Sequence, residues 1–566
     1  MSREELIAAA RGDTPADLLL TNAKIVNTFT AEIEDGNVAI YQGYIAGIGD
    51  YHQGKKVIDL EGRYLAPGLI DGHVHIESSL LHPAEYAKAV VPRGVSSVVT
   101  DLHEIANVTG LKGIKYLMDC ARPLPLDFYF MAPSCVPATH LETSGAECGA
   151  REIQTALRWK NTIGLGELMN FPGVLSRDQE VMKKIRLARG KLVDGHAPGL
   201  SGKELNAYLA AGIDSDHEST TFEEGREKLR RGMHLMIREG SSEQNLDELL
   251  PLVDDKTYRR CFFVVDDRTC ADLLREGDID AVVRKAISRG LDPLRALQMA
   301  TINTAEYFRL YRAGAVAPGY IANLLVIDDL LKLSVDMVFY RGRLVAREGE
   351  ALFSTPWRTD PEITHTVNIK PFGIEALKIP AAKKSLPVIE IVPGQIITKR
   401  IDAEAKTEEG FVAPDTERDI LKLVVVERHK ASGNIGLGFV KGFGLKDGAL
   451  GSSIAHDSHN LVVVGTNDQD IFTAIKEIER LQGGLVVAAG GRIQGSLALP
   501  IAGLLSEEPL EAVVAKLEEL ERAASTLGCV LPSPFATLSF LALPVIPDLR
   551  LTDKGLVDVV KFRLLE

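Results

Sequence analysis

From residue 67 to residue 310 the chain keeps one texture: a short apolar run, a polar cluster, then a stretch with helical spacing. Eight runs follow this pattern, at 68–75, 95–101, 127–134, 162–169, 191–196, 213–217, 234–239 and 262–267. Short apolar runs alternating with helices read as parallel strands, because a parallel pair needs a crossover and the crossover is usually a helix. Eight such units in roughly 245 residues match a (β/α)8 barrel, which typically takes about 250. Asp292-Pro293 opens the closing helix with an N-cap and a first-turn proline. Active sites of such barrels lie at the C-terminal strand ends, so the polar clusters that end the runs are where chemistry is sought.

The flanks differ. Residues 1–15 read as a short helix. Residues 18–66 alternate apolar and polar positions, with turns at Glu34-Asp35-Gly36 and Gly43, and read as short antiparallel strands. Short strands return over 314–350, and they are expected to pair with 18–66 in one β-sandwich. Pro356, Pro361, Pro371, Pro380 and Pro387 then mark a linker or irregular crossing. The remainder reads as an α/β domain. Its clearest helix spans 468–481, with Ile471, Phe472, Ile475, Ile478 and Leu481 on one face, and a second spans 510–527 and stops at Gly528.

With 566 residues the chain is too long for one core. A net charge of −14 without any Lys/Arg run argues against nucleic acid. No secretory leader and no membrane span are expected, since neither a basic start with an apolar core nor 18 consecutive apolar residues occurs. The six cysteines are scattered without a C-x-x-C, which fits reduced thiols in cytoplasm and no cysteine-based zinc site.

The strand ends carry a shared chemistry. His73 and His75, two apart on the first run, face the same way because strand side chains alternate. The second run ends in Asp101, followed by His103 and Glu104; the fourth carries Glu167; the fifth ends at His196; the sixth at His217-Glu218; the seventh at Arg238-Glu239; the eighth at Asp266-Asp267. Each alone reads as a cap or a solvated loop residue, but the chain has only 13 histidines and four gather on this rim. Imidazole and carboxylate without thiolate suit Zn, Mn or Fe in a hydrolytic centre. Two ions roughly 3.5–4 Å apart can share a water and lower its pKa toward about 7. Glu167 is best placed to bridge them, and Asp266 to hold a metal and shuttle the proton of the attacking hydroxide. The expected fold is thus α/β: a metal-dependent (β/α)8 barrel (67–312), a composite β-sandwich from both flanks (1–66 and 313–365), a linker (366–387) and a C-terminal α/β domain (388–566).

These residues resemble the amidohydrolase superfamily, through P-G-L-I-D-G-H-V-H at 67–75, the histidines of the fifth and sixth runs, Asp266, A-T-I-N-T-A at 300–305 and G-A-V-A-P-G-Y-I-A-N at 314–323. Many members carry a carboxylated lysine on the fourth strand; here Glu167 stands in its place. Within the superfamily the chain is similar to the bacterial adenine deaminase family over essentially its whole length. The matching segments are G-H-V-H-I-E-S-S (72–79), H-E-I-A-N-V (103–108), S-C-V-P-A-T (134–139), E-T-S-G-A (142–146), G-E-L-M-N-F-P-G-V (166–174), D-G-H-A-P (194–198), H-E-S-T (217–220), S-I-A-H-D-S-H-N (453–460) and L-A-L-P-I-A-G-L-L-S (497–506). Two departures stand out: Ala322-Asn323-Leu324 where A-D-L is usual, and Asp266-Asp267-Arg268-Thr269-Cys270 where relatives more often have D-D, a basic residue, His and Pro.

The resemblance implies hydrolysis of adenine to hypoxanthine and ammonia in purine salvage, by a hydroxide between two divalent ions, usually Mn2+ or Fe2+, with Zn2+ an alternative. The implied ligands are His73, His75, Glu167, His196, His217 and Asp266. Adenine is the expected partner, with no nucleic acid, no membrane and a homo-oligomeric assembly. Asp266 would carry the proton from hydroxide to amine, while N1 of the purine needs an acid. Glu218, Glu239 and Glu104 are candidates, with Glu239 favoured, because His196-Ala-Pro-Gly199 lacks the H-x-x-E of many deaminases. Glu218 reads equally as a partner orienting His217. His103 reads as a ligand, a base-edge contact or a loop hydrogen bond. Ser134, Glu142, Asp267, His456, Asp457 and His459 are further pocket candidates, the last three if the C-terminal domain faces the barrel mouth. A hydantoinase- or dihydroorotase-like activity on a cyclic amide is the nearest alternative, but it goes with lysine on the fourth strand and without this C-terminal domain. An N-acetyl-sugar deacetylase and a non-catalytic scaffold are further alternatives. The absence of P-C-x-x-C excludes the zinc cytidine-type deaminases.

Overall fold

The computed structural model describes residues 2–354, 360–382, 384–393 and 395–565, so Pro356 lies outside the described residues. Eight parallel strands form the central unit: β1 (Leu69–Val74), β2 (Val95–Asp101), β3 (Asp127–Ala132), β4 (Thr162–Leu168), β5 (Leu192–Gly195), β6 (Ser215–Asp216), β7 (His234–Arg238) and β8 (Cys261–Val264). β1 to β5 pair in sequence order as one parallel sheet and β6 to β8 as another. One seam is stitched where β1 meets the end of β8: Asp266 N donates to the His73 carbonyl (2.9 Å) and His75 N to the Asp266 carbonyl (3.0 Å). The other seam carries no ladder. Of the expected strand 213–217 only Ser215–Asp216 forms, and the Gly195 N–H goes to Ser215 Oγ at 3.2 Å. The parallel sheet is therefore partly curled, where a continuous eight-stranded ladder was expected. The crossover helices present one apolar face inward; on Ile279–Ser288 the buried residues include Ile279, Val282, Val283 and Ala286, at helical spacing.

The flanks build a single nine-stranded sheet. Leu324–Ile327 pairs antiparallel with Tyr64–Pro67, joining the two flanks. Leu18, Ile25, Val38, Leu65, Leu324, Val326 and Phe339 share one core. The expected pairing of the two flanks is present, but not all of 18–66 is antiparallel: Gly54–Asp59 and Tyr64–Pro67 run parallel to Ala16–Asn27, end to end along one edge. The hairpin Glu32–Gly49 occupies the other edge and serves as the crossover that a parallel return requires.

The C-terminal unit is an eight-stranded sheet. Helix Asp468–Leu481, capped by Asn467, lays Ile471, Ala474, Ile475 and Ile478 against Val424, Val463 and Val486. Each buried isoleucine contributes roughly 2 kcal/mol by area. Helix Leu510–Thr526 ends before Gly528, whose φ of +98° suits a residue without Cβ. The stretch read as a linker is not free of this unit. Val367, Ile369 and Leu377 are buried in its core, and Ser385–Ile391 is already a strand of its sheet. No helix among the described residues is long and apolar enough to cross a membrane.

Candidate active site

The C-terminal ends of β1, β4 and β8 bring together the residues that the alternation rule placed on one face. His73 Nδ1 faces Asp194 Oδ2 at 3.1 Å, and His75 Nδ1 faces the Asp101 carbonyl at 2.9 Å. A carbonyl only accepts, so His75 carries its proton on Nδ1 and turns the Nε2 lone pair inward. The Nε2 atoms of His73 and His75 stand 3.2 Å apart, with Asp266 Oδ1 at 3.4 and 3.2 Å from them. Lone pairs and carboxylate oxygens converging on one point repel unless a proton or a cation lies among them, and this is the donor set a divalent metal takes. Burial opposes charge on His73, yet Asp194 and Asp266 outweigh it and push its pKa up to about 10.

Glu167 lies between two sets of imidazoles. Oε1 is 3.3 Å from His75 Nε2 and 3.7 Å from His103 Nδ1; Oε2 is 2.7 Å from His196 Nδ1 and 3.1 Å from His217 Nε2. Burial would raise its carboxyl, but His196, His217 and His75 hold it well below the usual range. His73–His75–Asp266, His73–Glu167–His217, His75–His103–Glu167 and His196–His217–Glu218 are all compact enough to hold a cation. The predicted ligands thus meet, and His103 joins them.

Surrounding groups fix this set. Asp101 Oδ2 accepts from Glu167 N (2.9 Å), and Ser134 Oγ donates to the Glu167 carbonyl (2.5 Å), so Ser134 supports β4 from behind. Lys228 Nζ and Ser219 Oγ, at 2.8 and 2.7 Å, hold Asp216 beneath His217. Asp266 sits at φ +63°, a left-handed conformation that a short polar residue tolerates. Arg238 is buried; it donates to Asp266 Oδ2 (2.8 Å) and forks onto both oxygens of Glu218. Glu218 therefore orients the cluster through Arg238 and lies 3.5 Å from His217 Nε2.

Glu239, favoured from sequence as the acid for N1, is not brought in. Its oxygens take Lys285 Nζ and Leu246 N, on the side away from Arg238, as strand alternation requires. The altered loop after Asp267 divides: Arg268 turns away from the cluster, while Thr269 and Cys270 line the cavity above it. Arg268 is buried against the Gly240 and Gly277 carbonyls, and Thr269 caps helix Cys270–Arg275.

Above the cluster the C-terminal unit closes a cavity of about 370 Å3, lined by Glu77, Ser78, Glu104, Asp267, His456 and His459 among others. Ser78 Oγ donates to Asp267. Glu104 receives His456 Nδ1 at 2.7 Å and His459 Nε2. Burial would raise Glu104, but these two imidazoles hold it well below its usual range. His456 stacks on Phe540 with centroids 4.7 Å apart. Asp457 is compactly grouped with His103 and Glu104. Glu142 lies deeper in the seam. Burial, with Asp457 nearby, pushes it well above the carboxylate range, against the opposing pull of Ser458 and the Thr139 backbone. Glu77 was missed from sequence although it follows His75 by two. Its Oε1 accepts from Ile105 N (3.3 Å), its Oε2 has no hydrogen-bond partner among the described residues, and burial raises its pKa to about 7. Arg238 and Asp194 were also unassigned, since their partners are far away in the chain.

Comparison with known proteins agrees with this geometry. Residues 64–345 match the Amidohydrolase family model, and residues 395–563 the Adenine deaminase C-terminal domain. Relatives include an adenine deaminase of Dehalococcoides mccartyi, 59% identical over 99% of this chain and 98% of its own. Adenine deaminase 2 of Carboxydothermus hydrogenoformans is 52% identical over 99% and 98%, and adenine deaminase of Methanothrix thermoacetophila 49% over 99% and 99%. A histidine–carboxylate cluster on parallel strand ends, roofed by a domain that these relatives share along their length, means that the chain belongs to the adenine deaminase family of amidohydrolases.

Proposed function

We propose that this chain is a hydrolase acting on a cyclic amidine, converting adenine and water to hypoxanthine and ammonia in purine salvage. The observation that carries the reading is Glu167, each oxygen of which faces a separate set of imidazoles, within a chain whose relatives are adenine deaminases. His73, His75 and Asp266 would hold one divalent ion and His196 and His217 a second, with Glu167 shared. Mn2+ or Fe2+ is expected, with Zn2+ also compatible with the ligand types. Such ions, when bound, acidify a water toward a pKa of about 7. In this reading the two parallel sheets act as one (β/α)8 barrel and the C-terminal unit is its roof. The six cysteines form no disulfide among the described residues, which suits a reducing cytoplasm.

The chain's own groups do the rest. Asp266, anchored at Oδ2 by Arg238, takes the proton of the attacking water and passes it to the departing amine. Glu104, held by two imidazoles at the cavity wall, accepts a ring N–H of the purine. Glu77, a buried acid among the residues that line the cavity, donates to N1. The C-terminal unit forms one wall of the cavity, and shielding from water there would strengthen each of these interactions.

Ammonia release with hypoxanthine detection tests the reading, on Mn2+-loaded protein given adenine, adenosine, dihydroorotate and hydantoin. Turnover of adenine alone is expected. Silence on adenine with metal bound overturns the substrate, and turnover of hydantoin or dihydroorotate would favour the cyclic-amide alternative.

A further inference from the structure

The turn that carries His456, Asp457 and His459 is gripped from behind by two adjacent residues. Arg428 is fully buried, and among the described residues no carboxylate forms an ion pair with it. Its Nε donates to the His459 carbonyl, Nη1 to Thr366 Oγ1 (3.2 Å) and Nη2 to the Ala502 carbonyl (3.0 Å). The neighbouring carboxylate, Glu427, is taken up by the N–H groups of His429, Lys430 and Ser432. His429 Nε2 donates to the Ser458 carbonyl at 2.7 Å. Space for the guanidinium is kept by Gly503, where a Cβ would lie 2.6 Å from Arg428 Nη1. A buried cation met only by neutral acceptors is costly compared with apolar filling, so packing alone does not account for it.

The gripped turn carries an imidazole whose proton position is set locally. Ala455 N donates to His459 Nδ1 at 3.3 Å, so the ring's proton sits on Nε2, which donates to Glu104 Oε2. The ring belongs to the residue whose carbonyl Arg428 holds. We propose that Arg428 is a positioning residue for the deamination, fixing the His459 ring and through it the carboxylate of Glu104 across the domain seam. The inference rests on the cavity being the adenine site.

The experiment measures kcat, KM for adenine and metal content of wild type, Arg428→Met, Arg428→Lys, His459→Ala and the Met/Ala double variant. Arg428→Met is expected to keep its metal, raise KM about tenfold or more and leave kcat within about threefold, because Glu104 contributes binding shared by ground and transition states. Arg428→Lys, which can still reach one carbonyl, falls between. The double variant matches His459→Ala alone, since the two act as one unit. Folded Arg428→Met with wild-type KM, or losses that multiply in the double variant, overturns the proposal. If Arg428→Met does not fold, wild-type KM in Arg428→Lys overturns it. Absence of adenine turnover in the wild type sinks the substrate reading instead.

Discussion

At the scale of single residues, the centre is organised by hydrogen bonds that decide which ring nitrogen is free. His73 turns Nε2 inward because Asp194 holds Nδ1 at 3.1 Å. Asp194→Asn weakens that orientation, and metal affinity is expected to fall about 10- to 100-fold, read by competition with a chelating dye. Glu77 lines the cavity, and burial raises the pKa of its carboxyl to about 7. Glu77→Gln retains shape but not the acid, so kcat for adenine is expected to drop about 100-fold or more with metal content unchanged. Unchanged kcat would remove Glu77 from the mechanism. His73 and His75 were legible in the sequence, because two residues on one strand share a face whatever the rest of the fold does. Glu239 was misplaced because that rule gives relative facing only. It could not say that Arg238, not Glu239, turns toward Asp266.

At the scale of elements, the seam between β5 and β6 is the weak join. A Cβ on Gly195 would lie 1.9 Å from the Ser215 carbonyl oxygen. Gly195→Ala must therefore push β5 and β6 apart, and His196 and His217 with them. Reduced metal uptake is expected, with the far-UV circular dichroism spectrum retained. The opposite end of β7 supplies a pH effect. Burial lowers the pKa of His234 from 6.5 to about 4, and its ring packs on Tyr307 at 4.6 Å. The unfolded chain binds this proton more readily, so the contribution is complete above about 6.5 and is lost as pH falls toward about 4. His234→Phe keeps the ring contact and is expected to flatten the stability profile in that window, as read by urea unfolding at several pH values. An unchanged slope would assign the acid sensitivity elsewhere. The short β6 was not legible, since 213–217 carries one apolar residue, Ile213, and its link to β5 runs through side chains instead of a ladder: Ser215 Oγ accepts from Gly195 N and donates to Asp194 Oδ1, and Asp216 Oδ1 accepts from Ala197 N.

At the scale of the whole molecule, the active site belongs to two units that are remote in sequence. Asp553 Oδ1 accepts from Thr143 N at 2.9 Å and its Oδ2 from Asn434 at 3.0 Å, tying the C-terminal hairpin to the loop after β3. Asp553→Ala leaves buried donors unpaired, at a cost of about 1–3 kcal/mol. A lower unfolding midpoint and a raised KM, with metal retained, are the expected outcomes; an unchanged KM would mean that the roof sits correctly without this tie. By itself the sequence determined seven of the eight parallel strands, the pairing of the flanks, the helix at 468–481 and which imidazoles and carboxylates gather at the strand ends, because apolar periodicity and strand alternation act over a few residues. Only the tertiary structure decided that Arg238 couples Glu218 to Asp266, that Glu104 is held by His456 and His459, and that the parallel strands divide between β5 and β6. These depend on groups up to 355 residues apart, brought together by burial of a common core that no local pattern encodes.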